Sequence, residues 1–469
     1  MQIVANKKDF IWNYIGLFFR MGKSIILLPL LLGLLSADRL GLWYVFLAIS
    51  NFIATFQAGF SPSFARNIAY CWSGSTGITR RGVSSEHGDS VDFELFSGLM
   101  DACRVVYRAI SVVVLLILST AGTAYVLNVS SGLDVREVLP AWIIFCLAIL
   151  LNIYFSYYES LLRGVGQFSG VNRAIIFSNL IQIVSALVLL LAGWGILACA
   201  LSFLLQGLSY RLFCHKYFWA LGNVKEGLAQ AGKQPRKRVH ALVREVAPNA
   251  VKDTVVSVAN FLTTNATTLL CSMFLSLAET GVLSVALQLF NMVANVSAVL
   301  LTTYQPTLQS AFANGNRELE RDVTAKVYVG YIAAYVIMAV MTIFVVFPVL
   351  TVIKSSFWLD WPLMGVMAVY YFLWRLYSTS ATLITNTNNI PYMWSFIISA
   401  FLGIALSAFF MGVLGWGALG LVLGQLIVQL CYNDWKWPYE ASKRLNTTFF
   451  SLISRGISLW MAKIKHKKK

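Results

Sequence analysis

Apolar runs of about 20 to 30 residues recur along the whole chain, and that is the length a helix needs to cross a hydrocarbon layer about 30 Å thick. Read by window, about twelve such runs occupy residues 10–34, 40–69, 103–127, 138–162, 171–192, 195–218, 247–273, 280–306, 324–351, 361–386, 391–412 and 416–438. A spanning barrel would show short strands of alternating polarity, which these runs lack. Helices are the remaining way to satisfy every backbone amide and carbonyl in lipid. Composition agrees: of 469 residues 58% are hydrophobic and 12% charged, with mean hydropathy +0.70, far from the balance of a soluble domain. The first run lacks a small-residue cleavage signature and leads directly into the second, so it reads as a retained span.

The net charge of +16 is unevenly distributed. Lys and Arg gather in alternate loops, at Lys7 and Lys8, Arg80 and Arg81, Lys216 through Arg244, Arg317 and Arg321, and from Lys443 onward. Those loops are expected to face the cytoplasm, with both termini inside. The opposite loops, around Asp38, Asp134, Glu279, Asp360 and Trp416, hold as cations only Arg39, Arg136 and Lys354. The stretch KQPRKRVH at 233–240 reads as an orientation signal beside a span, and no nucleic-acid partner is expected.

The stretch GWG occurs at Gly193 and again at Gly415, 222 residues later. SADRLGLW from Ser36 pairs with LAETGVLS from Leu277, which sets Asp38 opposite Glu279, 241 residues on. The difference matches the longer loop from Ser73 to Ala102. Duplication of a six-helix half explains both, and an even number of spans gives the copies one orientation. The expected organisation is an N-terminal half at 1–220, a basic cytoplasmic linker at 221–246 read as mobile chain, a C-terminal half at 247–440 and a basic amphipathic tail at 441–469. In the tail Phe449, Leu452, Ile453, Ile457, Trp460 and Ile464 share one helical face, expected to lie on anionic lipid.

A cation at a helix centre costs about 2.5 to 3.5 kcal/mol on insertion scales and calls for a partner or a function. Arg66, Arg108, Arg163 and Lys252 lie near cytoplasmic helix ends, where long side chains reach the headgroups. Arg20 and Lys23, three residues apart in GLFFRMGKSIILLPLLLGLL, and Arg375 lie too deep for that. Tyr371, Arg375, Ser378 and Thr382 follow one helix face, as do Ser284, Gln288, Asn291 and Asn295. Asn260, Thr264 and Thr267 share another face, and Asn13 lies near that of Arg20. Such stripes also join helices to one another. Together they predict a wet, cationic cavity between the halves, suited to an anionic, sugar-bearing substrate bound by Arg20, Lys23, Arg66, Lys252, Asn260, Thr264, Gln288, Asn291, Asn295, Arg375 and Ser378.

Embedded acids are few. Glu159, and Asp253 beside Lys252, are the candidates for ion coupling; Asp101 lies at a boundary; no buried acidic cluster is expected. An exporter of cations works against the membrane potential and needs such carboxylates. An anion moving outward is helped by about 2.3 kcal/mol per charge per 100 mV, roughly 4 to 5 kcal/mol for two charges. There is no P-loop, HExxH, GxSxG or loop carboxylate pair, and the four histidines are in loops or tails, so no enzyme, metal or cofactor is expected. The seven cysteines are scattered singly and read as packing residues. A polysaccharide polymerase or glycosyltransferase usually needs a large extracytoplasmic loop, which is missing. Pro29, Pro62, Pro306 and Pro348 lie inside spans and read as kinks or hinges.

The first span with Arg20, the second span GLWYVFLAISNFIATFQAGFSPSFARNIA ending near Arg66, the LLRGVGQF turn and the repeated GWG resemble the Wzx-type polysaccharide flippases, within the superfamily that also holds lipid II flippases and multidrug and toxin extruders. The resemblance covers residues 8–440 and rests on order and spacing. It implies about twelve helices in two halves around a central cationic cavity, in a bacterial inner membrane. It implies movement of a polyprenyl (undecaprenyl) diphosphate-linked O-antigen or capsule repeat unit from the cytoplasmic to the periplasmic leaflet by alternating access. The partners it implies are that lipid-linked glycan, membrane lipids, a polysaccharide polymerase and a chain-length regulator. By position, Arg20, Lys23, Arg66 and Arg375 would meet the diphosphate. Gln57 and Ala58 replace an acidic residue often found in the family at FQAGF. The alternative is a cation-coupled multidrug extruder of the same fold.

Overall fold

The computed structural model describes residues 23, 26–72, 74, 75, 77, 91–222, 224–264, 266–301, 304, 308, 311, 316–353, 360–385 and 391–467, with the side chains at 58, 249, 252, 253, 256, 259, 260, 262–264, 266, 385 and 463–467 outside that description. The protein is all-α, with no strand among the described residues. Among the described residues eight helices are long and apolar enough to cross a membrane: 37–72, 93–129, 135–164, 168–191, 195–219, 277–301, 317–353 and 393–412. The chain divides into two compact units, Met1–Phe261 and Leu262–Lys469.

In the first unit, after helical residues 26–34, come α1 (Ala37–Ala58), α2 (Phe60–Trp72), α3 (Phe93–Ile117), a π-helical turn (Leu118–Gly122), α4 (Thr123–Val129), α5 (Val135–Tyr154), α6 (Tyr157–Gly164), α7 (Phe168–Leu191), α8 (Gly195–Trp219), α9 (Val224–Ala231) and α10 (Arg236–Thr264), which runs past the unit boundary. The second unit adds α11 (Ala266–Phe274), α12 (Leu277–Ser297), α13 (Arg317–Met341), a second π-helical turn (Thr342–Val346), α14 (Phe347–Ile353), α15 (Trp361–Thr385), α16 (Met393–Gly412), α17 (Gly417–Cys431), α18 (Asn433–Arg444) and α19 (Phe449–Lys467).

Local devices recur between the halves. The two π turns lie 224 residues apart in helices of matching extent, 93–129 and 317–353. The GWG turns match in backbone: Gly193 and Gly195 take φ of +81° and +52°, and Gly415 and Gly417 take +67° and +52°, a region that favours glycine. Ser36 and Ser276 both N-cap a spanning helix, accepting from the amides of Arg39 and Glu279. The structural register therefore pairs Ser36 with Ser276, one residue from the sequence pairing, and sets Arg39 in the place of Glu279. Each cap is worth about 1 kcal/mol.

Two expectations are corrected. Residues 221–246 are largely helical rather than mobile chain, because Val224, Leu228, Val239, Leu242 and Val246 are buried. This region packs on the start of α3: Ser97 Oγ donates to the Gly232 carbonyl at 2.8 Å, and Arg238 pairs with Glu94 at 3.0 Å. The apolar period exists, but GKQPRK interrupts it. Second, the tail helix α19 docks on protein. Arg455 bonds Asp322 and Glu318, Trp460 Nε1 donates to the Lys326 carbonyl at 3.2 Å, and Phe449 meets the Tyr328 ring edge-on. From α13, Arg317 and Arg321 donate to the carbonyls of Arg444 and Leu445 at 2.6 Å each. Of the supposed lipid face, Leu452 is buried and Ile457 exposed; the side chain of Ile464 lies outside the described residues.

A Cβ on Gly456 would lie 2.4 Å from the Ala325 carbonyl oxygen, so α19 approaches α13 more closely than any side chain at that position allows. Gly456→Val is expected to release the tail while leaving the membrane portion folded. Limited trypsin digestion of purified protein should then cleave around Arg455 and Lys463 at least severalfold faster than in wild type.

Candidate functional site

The polar stripes of α12 and α15 meet inside the second unit. Phe290 on α12 stacks on Tyr371 of α15 with ring centroids 6.3 Å apart, and Asn291 comes within hydrogen-bonding reach of the Tyr371 side chain. Asn295 Nδ2 donates to the Asn291 side-chain oxygen at 2.5 Å, and Ser284 Oγ lies 3.4 Å from Thr268 Oγ1. Gln288, Asn291 and Asn295 are half-buried, as is Ser378 one turn beyond Arg375. Spacings of three and four residues put these groups on one face; the ring stack holds the two faces in register.

Arg375 lies in this face, half-buried. Its Nε is buried without a hydrogen-bond partner, and its guanidinium lies 5.9 Å from the Trp374 ring centroid. Among the described residues no acid pairs with it. The backbone that carries it is fixed by three tyrosines of α13 at helical spacing. Tyr335 donates to the Ala368 carbonyl at 2.7 Å, Tyr331 to the Phe372 carbonyl at 2.7 Å, and Tyr328 lies 2.8 Å from Ser380 Oγ. Each such buried bond is worth about 1 kcal/mol net. The charge is therefore carried on a tethered helix without an acid to neutralise it among the described residues.

The remaining predicted residues are distributed differently. Lys23 is helical and half-buried; Arg66, on α2, and Arg108, on α3, are exposed. Arg20 lies outside the described residues, and so do the side chains of Lys252, Asp253, Asn260 and Thr264 on α10. Glu159 on α6 receives Arg163 Nη2 at 2.8 Å and Arg211 Nη1 from α8 at 3.4 Å, in a compact ion cluster. Nearby, Tyr107 on α3 lies 3.2 Å from Ser160 Oγ, which lies 3.1 Å from Ser61 Oγ on α2.

A second polar zone, missed by sequence reading, lies where α16, α17 and α18 meet. Asn433 Nδ2 donates to Ser399 Oγ at 2.8 Å and to Gln429 Oε1 at 2.7 Å, while Trp437 Nε1 donates to Asn433 Oδ1 at 2.8 Å. Gln425 packs where Gly403 leaves room: a Cβ there would be 2.5 Å from its Oε1. Both polar side-chain atoms of Gln425, Gln429 Nε2 and both carboxylate oxygens of Asp434 are buried with no hydrogen-bond partner. Asp434 faces Tyr370 and Tyr377 of α15. The signal was available in GQLIVQLCYND, where Gln425, Gln429 and Asn433 are spaced four and four.

No protein-family model and no curated protein matches this sequence. Solved structures do. An inward-facing multidrug resistance MATE family transporter of the MOP superfamily matches with TM-score 0.63 at 14% identity, over 94% of this chain and 98% of that one. The lipid II flippase MurJ, in an inward closed conformation, matches with TM-score 0.63 at 13% identity, over 97% and 92%. An outward-facing MATE transporter matches at TM-score 0.55 and 14% identity, over 95% and 97%. The fold of this chain is similar to the fold of these structures. At such identities the likeness extends to the architecture alone, and the MOP fold accommodates both flippases and extruders.

The ion cluster at Glu159 gives a stability prediction. Glu159→Gln leaves Arg163 and Arg211 crowded and without their common anion. The expected cost is about 1 to 3 kcal/mol, since charge-assisted hydrogen bonds are lost from a half-buried site. It should be read as a lowered thermal midpoint of the detergent-solubilised protein. Arg66→Gln, on an exposed side chain, should leave that midpoint unchanged.

Proposed function

We propose that this protein is a flippase that moves a polyprenyl diphosphate-linked glycan, an O-antigen or capsule repeat unit, from the cytoplasmic to the extracytoplasmic leaflet by alternating access of its two halves. The observation that carries the reading is Arg375: a half-buried guanidinium on a tethered helix of an apolar unit, with no acidic partner among the described residues. A diphosphate supplies the missing counter-charge, and the neighbouring hydroxyls and amides of Ser378, Asn291 and Asn295 suit sugar hydroxyls. Lys23, half-buried in a helix of the first unit, adds a second cation, and Arg20, Arg66, Lys252, Asn260, Thr264 and Gln288 complete the proposed substrate-binding set. The likeness of fold to a lipid II flippase supports the reading without naming the cargo. The proposed setting is a bacterial inner membrane with both termini cytoplasmic, a polymerase and a chain-length regulator acting on the product, and no catalytic role for this chain.

A second reading, a cation-coupled multidrug extruder, has one observation in its favour. Asp434 is a buried carboxylate with both oxygens unpartnered, the kind of group that proton or cation coupling uses. Glu159, the other acid in question, is engaged by two arginines, and the side chain of Asp253 lies outside the described residues.

In cells that depend on this export, Arg375→Gln is expected to lower surface glycan at least tenfold and to accumulate lipid-linked glycan on the inner leaflet, whereas Arg375→Lys keeps part of the activity. Full activity in Arg375→Gln would remove the residue from the mechanism. Overexpression is expected to confer no resistance to cationic dyes. Dye resistance abolished by Asp434→Asn would instead establish the second reading.

A further inference from the structure

The positive-inside reading leaves cations on the outer loops at Arg39, Arg136 and Lys354. Two of these three line one cavity. Three loops of the first unit, which that reading sets on the outer face, converge on a space of about 360 Å³, bordered among others by Leu34, Arg39, Arg136, Glu137, Trp194 and Gly195. That volume is at the small end of the range for ligand pockets, about 300 to 1,000 Å³.

The cavity's charged lining is two arginines and one acid, Arg39, Arg136 and Glu137. Three helices, α1, α5 and α8, begin at its walls, so the positive ends of three helix dipoles lie around it. Ser36 and Asp134 cap the first two, while no side chain caps α8 at Trp194. Arg39 gives Nη2 to Glu137 Oε2 at 2.8 Å, yet its Nε is buried without a partner. Arg136 is exposed and has no acidic partner among the described residues. Gly195, at φ +52°, lets the turn approach the ion pair: a Cβ there would lie 2.9 Å from Glu137 Oε1. Trp194 offers an exposed ring at the rim. The duplicated half does otherwise: Glu279, in the place of Arg39, folds back on Ser276 in a closed capping box with no cation paired to it among the described residues.

We propose that this cavity is a binding site for a single carboxylate-bearing sugar residue on the extracytoplasmic face. Arg136 and the unpartnered edge of Arg39 hold the carboxylate, and the ring of Trp194 covers the apolar face of the sugar. Glu137 already neutralises one of the two guanidinium charges, so the site takes one negative charge rather than a diphosphate. The anion preference rests on this geometry; the choice of a sugar rests on the glycan-export reading above.

The test measures equilibrium binding and needs no transport. Full-length protein in zwitterionic nanodiscs is titrated with glucuronate, glucose and acetate, followed by calorimetry and saturation-transfer NMR. Glucuronate is expected to bind roughly tenfold more tightly than either glucose or acetate. Arg136→Ala and Trp194→Ala should each weaken it at least fivefold. Glucuronate binding no tighter than glucose or acetate, or binding unchanged in both variants, overturns the proposal. So does displacement of glucuronate by adding phosphatidylglycerol to the nanodiscs, which would assign the site to a lipid headgroup. Binding as expected in a protein that moves no glycan would leave this site standing while the export reading fails.

Discussion

An arginine inside an apolar helical bundle has to be compensated, and the way compensation is withheld organises this protein. Where the chain builds for stability it pairs its charges: Glu159 receives Arg163 and Arg211, Arg455 reaches Asp322 and Glu318, and Arg238 reaches Glu94. Arg375, half-buried in the second unit, has no acid partner among the described residues. Its helix is fixed by Tyr328, Tyr331 and Tyr335 through its own carbonyls and hydroxyl, contacts that position the charge without neutralising it. Withholding an acid from a half-buried guanidinium costs stability, and under the proposed function a counter-charge arriving with the substrate would offset that cost only during binding.

The same logic divides the two polar zones of the second unit. The face formed by α12 and α15 is cationic, with amides and hydroxyls around the charge. The zone at α16, α17 and α18 holds the opposite kind of group, Asp434, beside Gln425, both of whose polar side-chain atoms lack partners, and Gln429, whose Nε2 lacks one. A carrier of anions has use for the first. A carrier coupled to protons or cations has use for the second. A likeness of fold to a flippase and to multidrug transporters does not choose between the two readings; what these zones bind would.

Much of the fold was legible because its signals are physical necessities. Spanning length and apolar composition gave the all-α architecture, and the repeated GWG turns share a backbone form, with Gly193, Gly195, Gly415 and Gly417 all at positive φ. Reading failed where a period was interrupted or a polar residue sat near a span's end. Val224, Leu228, Val239, Leu242 and Val246 are buried in helices that a basic stretch disguised. Asp434 follows a break in the helix at Tyr432, where φ and ψ are −146° and −60°, so it passed as the polar end of a span although it is buried. The meeting of Arg39, Arg136 and Trp194 was beyond reach, since three loops far apart in sequence supply it; the one clue was two cations on the side where cations are scarce.

The central claim, that an unpaired cation awaits an anionic lipid headgroup, is tested most directly by what the purified protein retains. Native mass spectrometry of the protein extracted in mild detergent from cells that make the glycan should show a bound polyprenyl diphosphate-linked species. Inorganic pyrophosphate should compete it away, while the corresponding uncharged polyprenol should not. If the retained lipid is indifferent to pyrophosphate, or the protein carries neutral lipids and cationic compounds as readily, the account is contradicted.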